Sequence, residues 1–225
     1  MSKQIAIIFD LDGVLINTVE AHYAAWSAVA AELNTPFSEA DNDHLKGVHR
    51  KDALAYLARR LAPLDNETEE YLLRLKSMMY QKEVMEAGDS IKVEGVNRLL
   101  SSLRELQIPI GLASASKHAP ILLNIARLTT LIDVVSDGNF AGRLKPHPDQ
   151  LLHVARCLNT KPANCTVVED SAVGLEAARR AEMRTLAVGN VPSVHDNGTR
   201  HLKSLANVTA QEFLEIIGAN SLVTD

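Results

Sequence analysis

The sequence predicts an α/β fold: a doubly wound parallel sheet covered by helices on both faces, interrupted once by a helical insertion. Two observations carry this. Short runs rich in Ile and Val alternate with longer stretches of helical spacing, the signature of parallel strands joined by crossover helices. The rhythm breaks only between residues 17 and 88, a stretch of 72 residues in which helical patterns follow one another without a strand.

The first strand is predicted over 4–9, where the apolar run Ile-Ala-Ile-Ile-Phe has no polar alternation and so reads as buried on both faces. Helical patterns follow over 18–34, 39–45, 51–61 and 67–86. The alternation then resumes, with helices over 96–107, 119–128, 147–158 and 171–181 separated by strands at 109–113, 132–136, 166–168 and 185–188. The last helix, 210–217, is preceded by Thr209 and Glu212 in the spacing of a capping box. The expected division is therefore a core of 1–16 and 89–225, with a helical cap, or lid, over 17–88.

Composition narrows the classes of function. A net charge of −5 without a basic block gives neither nucleic acid nor an anionic membrane a surface from which to release counterions. The apolar run ending at Phe9 is far too short for a signal-peptide core or a membrane span, so the expectation is a cytoplasmic protein. A monomer is expected as well. Two cysteines, Cys157 and Cys165, make no disulfide framework and no paired metal signature.

Ligands of open α/β sheets bind beyond the carboxyl ends of the strands. Reactive side chains collect there: Asp10 and Asp12 with Gly13 after the first strand, and Ser114, Ala115, Ser116 and Lys117 after the second. Lys145-Pro146 follows the third, and Glu169-Asp170 closes the fourth. Asp10, Asp12, Glu169 and Asp170 are hard oxygen donors, which suit Mg²⁺ rather than Zn²⁺. At ~4 Å and an effective dielectric of about 20, each like-charge pair costs about 4 kcal/mol, so the cluster needs a cation before it can approach a phosphate. Lys145 and the Ser114 hydroxyl would then hold oxygens of a transferring phosphoryl group. No Walker-type loop is present, and a carboxylate nucleophile is the better candidate, with Asp10 attacking phosphorus and Asp12 serving as general acid and base. A phospho-receiver module accepts its phosphate after the third strand, whereas here the Asp-x-Asp pair follows the first.

Phe-Asp-Leu-Asp-Gly-Val-Leu at 9–15, Ser114, Lys145-Pro146 and Val-Glu-Asp-Ser at 168–171 together resemble the four ordered motifs of the haloacid dehalogenase superfamily. The resemblance implies a Rossmann-like core and phosphoryl transfer through phospho-Asp10. It also implies Mg²⁺ bound by Asp10, Asp170 and the main-chain carbonyl of Asp12, with Glu169 as a further metal contact. Ser114, Ala115 and Lys145 would bind the transferring phosphate.

Within the superfamily the chain is similar to the β-phosphoglucomutases, on His22 with Trp26 and on Leu45-Lys46-Gly47-Val48 followed by Arg50 in the insertion, and on the run 112–117 in the core. That similarity implies a phosphorylated hexose as substrate, with β-glucose 1-phosphate and glucose 6-phosphate interconverted through a bisphosphate. The alternative is a sugar-phosphate phosphatase using the same phosphoaspartate. Arg50, Ser116, Lys117 and His118 would grip the distal phosphate, Lys46, Gly47 and Lys76 would lie near the hexose, and His22 would orient Asp12. Asn17, His49 and His118 depart from the residues usual there. Asn17, Thr18 and Gly88 are the expected hinges of lid closure.

Overall fold

The computed structural model describes residues 5–45, 48, 50–191 and 199–219. Its contacts divide the chain into two units, Met1–Asn17 with Asp89–Asp225, and Thr18–Gly88. The break thus falls after Asn17, one residue later than the sequence rhythm predicts.

The larger unit is built on a six-stranded parallel sheet of β1 (Ala6–Phe9), β2 (Ile110–Ala113), β3 (Val134–Ser136), β4 (Cys165–Glu169), β5 (Arg184–Val188) and β6 (Arg200–Leu202), in the order β3-β2-β1-β4-β5-β6. β1 lies between β2 and β4, with Phe9 opposite both Leu112 and Val168. This register brings the segments after β1, β2 and β4 to the same end of the sheet. Because β1, β2 and β4 are buried along their whole length, their continuous apolar runs are what two covered faces demand.

Numbering helices in chain order, those of this unit are α5 (Val96–Glu105), α6 (Ala119–Ile125), α7 (Asp149–Cys157), α8 (Ala172–Arg180) and α9 (Ala210–Ile217). Ile8 and Val167 pack with Leu151, Val154 and Ala155 of α7 and with Ala177 and Ala178 of α8. Phe213 of α9 stacks on Phe9, ring centroids 6.0 Å apart. The predicted capping box is formed: Thr209 accepts from the Glu212 N–H, and the Glu212 carboxylate accepts from the Thr209 N–H.

The smaller unit is helical: α1 (Val19–Glu32), α2 (Glu39–His44), α3 (Arg50–Ala58) and α4 (Asn66–Ala87). Its own core joins Trp26, Val29 and Ala30 of α1 to Leu54 and Leu57 of α3 and Leu72 and Leu73 of α4. Ser38 and Asp65 cap the starts of α2 and α4 by accepting from backbone N–H groups. At the far end of α4, Gly88 turns the chain with φ +58. Among the described residues no helix is long and apolar enough to cross a membrane.

Three differences from the sequence reading have physical causes. Four of the core helices stop earlier than their apolar spacing predicts, because Gln107, Arg127, Asn159 and Glu182 adopt left-handed φ values of 56, 55, 52 and 57. Each is followed by an N–H that bonds back over a full turn, as from Ile108 to Leu103 O and from Thr160 to Ala155 O. None of these four is glycine, so the usual stop signal is missing from the sequence. Helix α7 begins at Asp149 rather than 147, with Pro148 at its N-cap, which leaves the segment around Lys145 as a loop. Strand β6 is absent from the sequence reading because Arg-His-Leu at the sheet edge carries no apolar run.

Candidate active site

Strand β1 delivers Asp10 to the carboxyl end of the sheet, where its N–H still donates to Val168 O of β4 at 2.9 Å. The chain then turns through Leu11-Asp12-Gly13 and closes on itself, Gly13 N–H donating to Ile16 O at 2.8 Å. Gly13 has φ +79, and a Cβ there would stand 1.9 Å from Asp170 Oδ2. Glycine is thus required twice over, by the turn and by the approach of the Asp170 carboxylate.

Lys145 joins three strands' ends. Its Nζ donates to Asp10 Oδ1 at 2.6 Å, Glu169 Oε2 at 2.6 Å and Ala113 O at 2.8 Å. The Lys145-Pro146 peptide is cis. The Lys145 loop is braced from both sides. Arg143 makes a bidentate contact to Asp149 at 2.9 and 3.1 Å. Arg180 of α8, held by Glu176 at 2.7 Å, donates to Pro146 O at 3.2 Å.

Glu169 is fully buried and its carboxylate is divided between two tasks. Oε2 faces Lys145, while Oε1 accepts from the Ser171 hydroxyl at 2.7 Å and from the N–H groups of Ser171 and Asp170 at 3.1 and 3.2 Å. Ser171 in turn caps α8, its Oγ accepting from the Gly174 N–H at 3.1 Å.

Carboxylate oxygens of Asp10, Glu169 and Asp170 lie within 4.8 Å of one another. One ammonium stands against these three acids. Burial, helped by the charges of Glu169 and Asp170, raises the Asp10 carboxyl well above the usual carboxylate range, against the pull of Lys145. Asp170 stands at the more exposed edge of the cluster. There the protein packed around its carboxyl group and the neighbouring Glu169 push it up to about 7. Burial opposes the charge of Lys145 too, but Asp10 and Glu169 outweigh it and keep the ammonium protonated. Three carboxylates this close together, with proton affinity raised at Asp10 and Asp170 and no nitrogen or sulfur donor among them, form a set that fits a hard divalent cation. The Asp12 side chain is half-buried and stands outside the three-acid group.

After β2, Ser114 is buried, and its Oγ accepts from the Ser116 N–H at 3.1 Å, leaving its own proton to be donated. Ala115 and Lys117 are exposed, while Ser116 and His118 are half-buried. The His118 N–H donates to Ser116 Oγ at 3.2 Å.

In the helical unit, Lys76 Nζ lies 3.1 Å from His22 Nδ1 and over the ring of Tyr80, 4.6 Å from its centroid. Because an ammonium only donates, Nδ1 is the acceptor and the imidazole proton sits on Nε2. Burial, then the Lys76 charge, lowers His22 to about 3. Trp26 is 4 % exposed and is a core residue of this unit, its ring 5.5 Å below the Lys76 ammonium. Arg50 opens α3 on an exposed face. Lys46, Gly47 and His49 lie outside the described residues.

The sequence reading misses Gly174, whose role shows only in three dimensions: a Cβ there would stand 2.0 Å from Glu169 Oε2. It also misses Arg180 and Glu176, which read from sequence as a solvated helix face.

A family model for haloacid dehalogenase-like hydrolases matches residues 6–182. The chain belongs to this family. Among hydrolase-like relatives, the β-phosphoglucomutase of Bacillus subtilis (strain 168) is 33 % identical over 187 residues, covering 82 % of this chain and 83 % of that protein. The phosphorylated carbohydrates phosphatase of Thermotoga maritima is 28 % identical over 216 residues, covering 94 % and 97 %. Among solved structures, the β-phosphoglucomutase of Clostridium difficile superposes with a TM-score of 0.82 at 28 % identity, covering 98 % and 100 % of the two chains. The haloacid dehalogenase-like match spans all four groups of site residues in the sheet unit.

Proposed function

We propose that the chain is a Mg²⁺-dependent phosphosugar mutase that interconverts β-glucose 1-phosphate and glucose 6-phosphate through phospho-Asp10 and a sugar bisphosphate. The observation that carries the reading is the contact of Lys145 Nζ with Asp10 Oδ1, a carboxylate oxygen held beside a buried cation at the carboxyl end of the sheet.

In this reading phospho-Asp10 gives its phosphoryl group to the free hydroxyl of a sugar monophosphate. The aspartyl O–P bond breaks, the sugar O–P bond forms, and the Asp12 carboxylate takes the hydroxyl proton. The bisphosphate turns end for end, Asp10 attacks its other phosphorus, and Asp12 returns the proton to the departing oxygen. Ser114 and Ala115 hold the transferring group, while Lys145 offsets the charge on its oxygens and on Asp10. Asp10, Asp170, Glu169 and the main-chain carbonyl of Asp12 would hold the Mg²⁺. When bound, the ion supplies neutralisation of the phosphoryl charge against the carboxylate cluster.

Arg50, Ser116, Lys117 and His118, with Lys46 and Gly47, are the proposed grip on the distal phosphate and hexose, and Lys76 with neutral His22 offers further sugar-hydroxyl partners. Asn17, Thr18 and Gly88 are the proposed hinges. A cytoplasmic monomer acting on a phosphorylated hexose, without nucleic acid or membrane partners, completes the reading. Support for a mutase comes from the 33 % identity to the Bacillus subtilis β-phosphoglucomutase. The second reading, a sugar-phosphate phosphatase in which water takes the phosphoryl group, is supported by the Thermotoga maritima relative matched over 97 % of its length.

The test is product analysis after incubation with Mg²⁺, β-glucose 1-phosphate and a trace of glucose 1,6-bisphosphate. Glucose 6-phosphate with little inorganic phosphate is the expected result. Dominant free phosphate would replace the mutase by the phosphatase, and an Asp10→Asn variant that retains turnover would sink both.

A further inference from the structure

Gln150, one residue into α7, is 0 % exposed. It has no aqueous alternative for its amide and spends that amide on main chain. Nε2 donates to Ser114 O at 2.9 Å, to Ser136 O at 3.1 Å and to Asp137 O at 3.1 Å. Its Oε1 is buried without a hydrogen-bond partner among the described residues. A buried amide whose oxygen is left unpaired is a costly way to fill space that an aliphatic side chain would fill without that penalty. The compensation lies in what the three carbonyls belong to.

Ser114 directly follows β2 and Ser136 ends β3, and the two loops that start there are laid against each other. The Ser114 N–H donates to Ser136 O at 3.0 Å, and the Gly138 N–H donates to Ser116 O at 3.0 Å. A Cβ at Gly138 would stand 2.3 Å from Ala115 O, so the second loop presses directly on the backbone of the first. Gln150 pulls on both loops from beneath, and it sits five residues after Lys145, on the helix that the Lys145 loop enters.

We propose that Gln150 is a positioning residue: its amide fixes the Ser114–Ser116 loop against the Lys145 loop, setting the span across which a phosphoryl group is held. The inference rests on reading these loops as the phosphate grip. Without the amide, three carbonyls lose a shared donor and the Ser114 loop is free to shift relative to Lys145. A displacement of a few tenths of an ångström is enough to misalign oxygen contacts that depend on geometry.

The experiment compares wild type with Gln150→Met, which preserves chain length and removes both donors. It measures binding of inorganic phosphate in saturating Mg²⁺ by calorimetry, at a temperature where both proteins are folded. The expected result is a phosphate Kd raised at least fivefold. A purely structural bolt would lower the Tm while leaving the Kd of the folded molecules within twofold of wild type, and that result would overturn the proposal. A wild-type chain that binds no phosphate would instead defeat the reading of the loops, and the inference with it. Should Gln150→Met fail to fold, the wild-type Gln150 side-chain amide resonances decide. They are expected to move when phosphate saturates the Mg²⁺-loaded protein, and unmoved resonances would overturn the proposal.

Discussion

Lys145 and Asp10 lie 135 residues apart in sequence and meet at 2.6 Å. The Lys145 side chain is 6 % exposed and its ammonium has two carboxylates to neutralise, so its removal leaves Asp10 and Glu169 facing each other without a cation. Lys145→Met is therefore expected to lower kcat by roughly 10²–10³-fold, the scale of losing one preorganised charge contact to a transferring group. It should also lower the Tm of the metal-free protein, with the loss shrinking as Mg²⁺ is added. A variant equally destabilised with and without Mg²⁺ would mean that the cation does not share the site of the lysine's partners.

Binding of Mg²⁺ to the carboxylate cluster is expected to release protons. Asp170 is held at about 7 without metal, so it is largely protonated at pH 6 and largely ionised at pH 8. A cation binds the ionised form, which means that affinity rises with pH through this range. Calorimetry in two buffers of different ionisation enthalpy should find more protons released per Mg²⁺ at pH 6 than at pH 8. Equal release at both values would remove Asp170 from the ligand set.

How much of this was legible beforehand depends on what kind of signal each residue leaves. The parallel sheet and Asp10, Asp12, Ser114, Lys145, Glu169 and Asp170 were readable because buried parallel strands are continuously apolar and the reactive residues come directly after them. The stops of α5 to α8 were not, since Gln107, Arg127, Asn159 and Glu182 take left-handed conformations and none of them is the glycine that usually marks such a stop. Gln150 was invisible for another reason: a glutamine beside Asp149 reads as the solvated start of a helix, and only the fold turns it inward. Trp26 shows the converse. Its packing beside Val29 and Ala30 was legible as helix spacing, while the Lys76 ammonium above it comes from a helix 50 residues on.

Gly174 offers a test in which local and tertiary effects have opposite signs. In an exposed helix, Gly→Ala stabilises by about 1 kcal/mol. Here the added methyl would stand 2.0 Å from Glu169 Oε2, the oxygen that holds Lys145. Gly174→Ala is expected to destabilise the chain by about 1–3 kcal/mol, the usual cost of overpacking, and to lower kcat by displacing Glu169. Denaturant unfolding gives the sign directly, and a more stable variant of normal activity would show that Glu169 has room to move.

His22 carries a pH signature of its own. Its proton affinity is lowered to about 3 by burial and by Lys76, whereas in the unfolded chain it returns to about 6.5. The unfolded state therefore binds the extra proton between these values. The contribution of His22 to stability is fully present above about pH 6.5 and is lost progressively as the pH falls below it. Between pH 7.5 and 5.5 this removes about 1 kcal/mol. His22→Gln cannot take up that proton, so its unfolding free energy should fall by about 1 kcal/mol less than that of wild type over the same interval. Parallel curves for the two proteins would mean that the imidazole titrates as freely folded as unfolded, and that Lys76 does not hold Nδ1 as an acceptor.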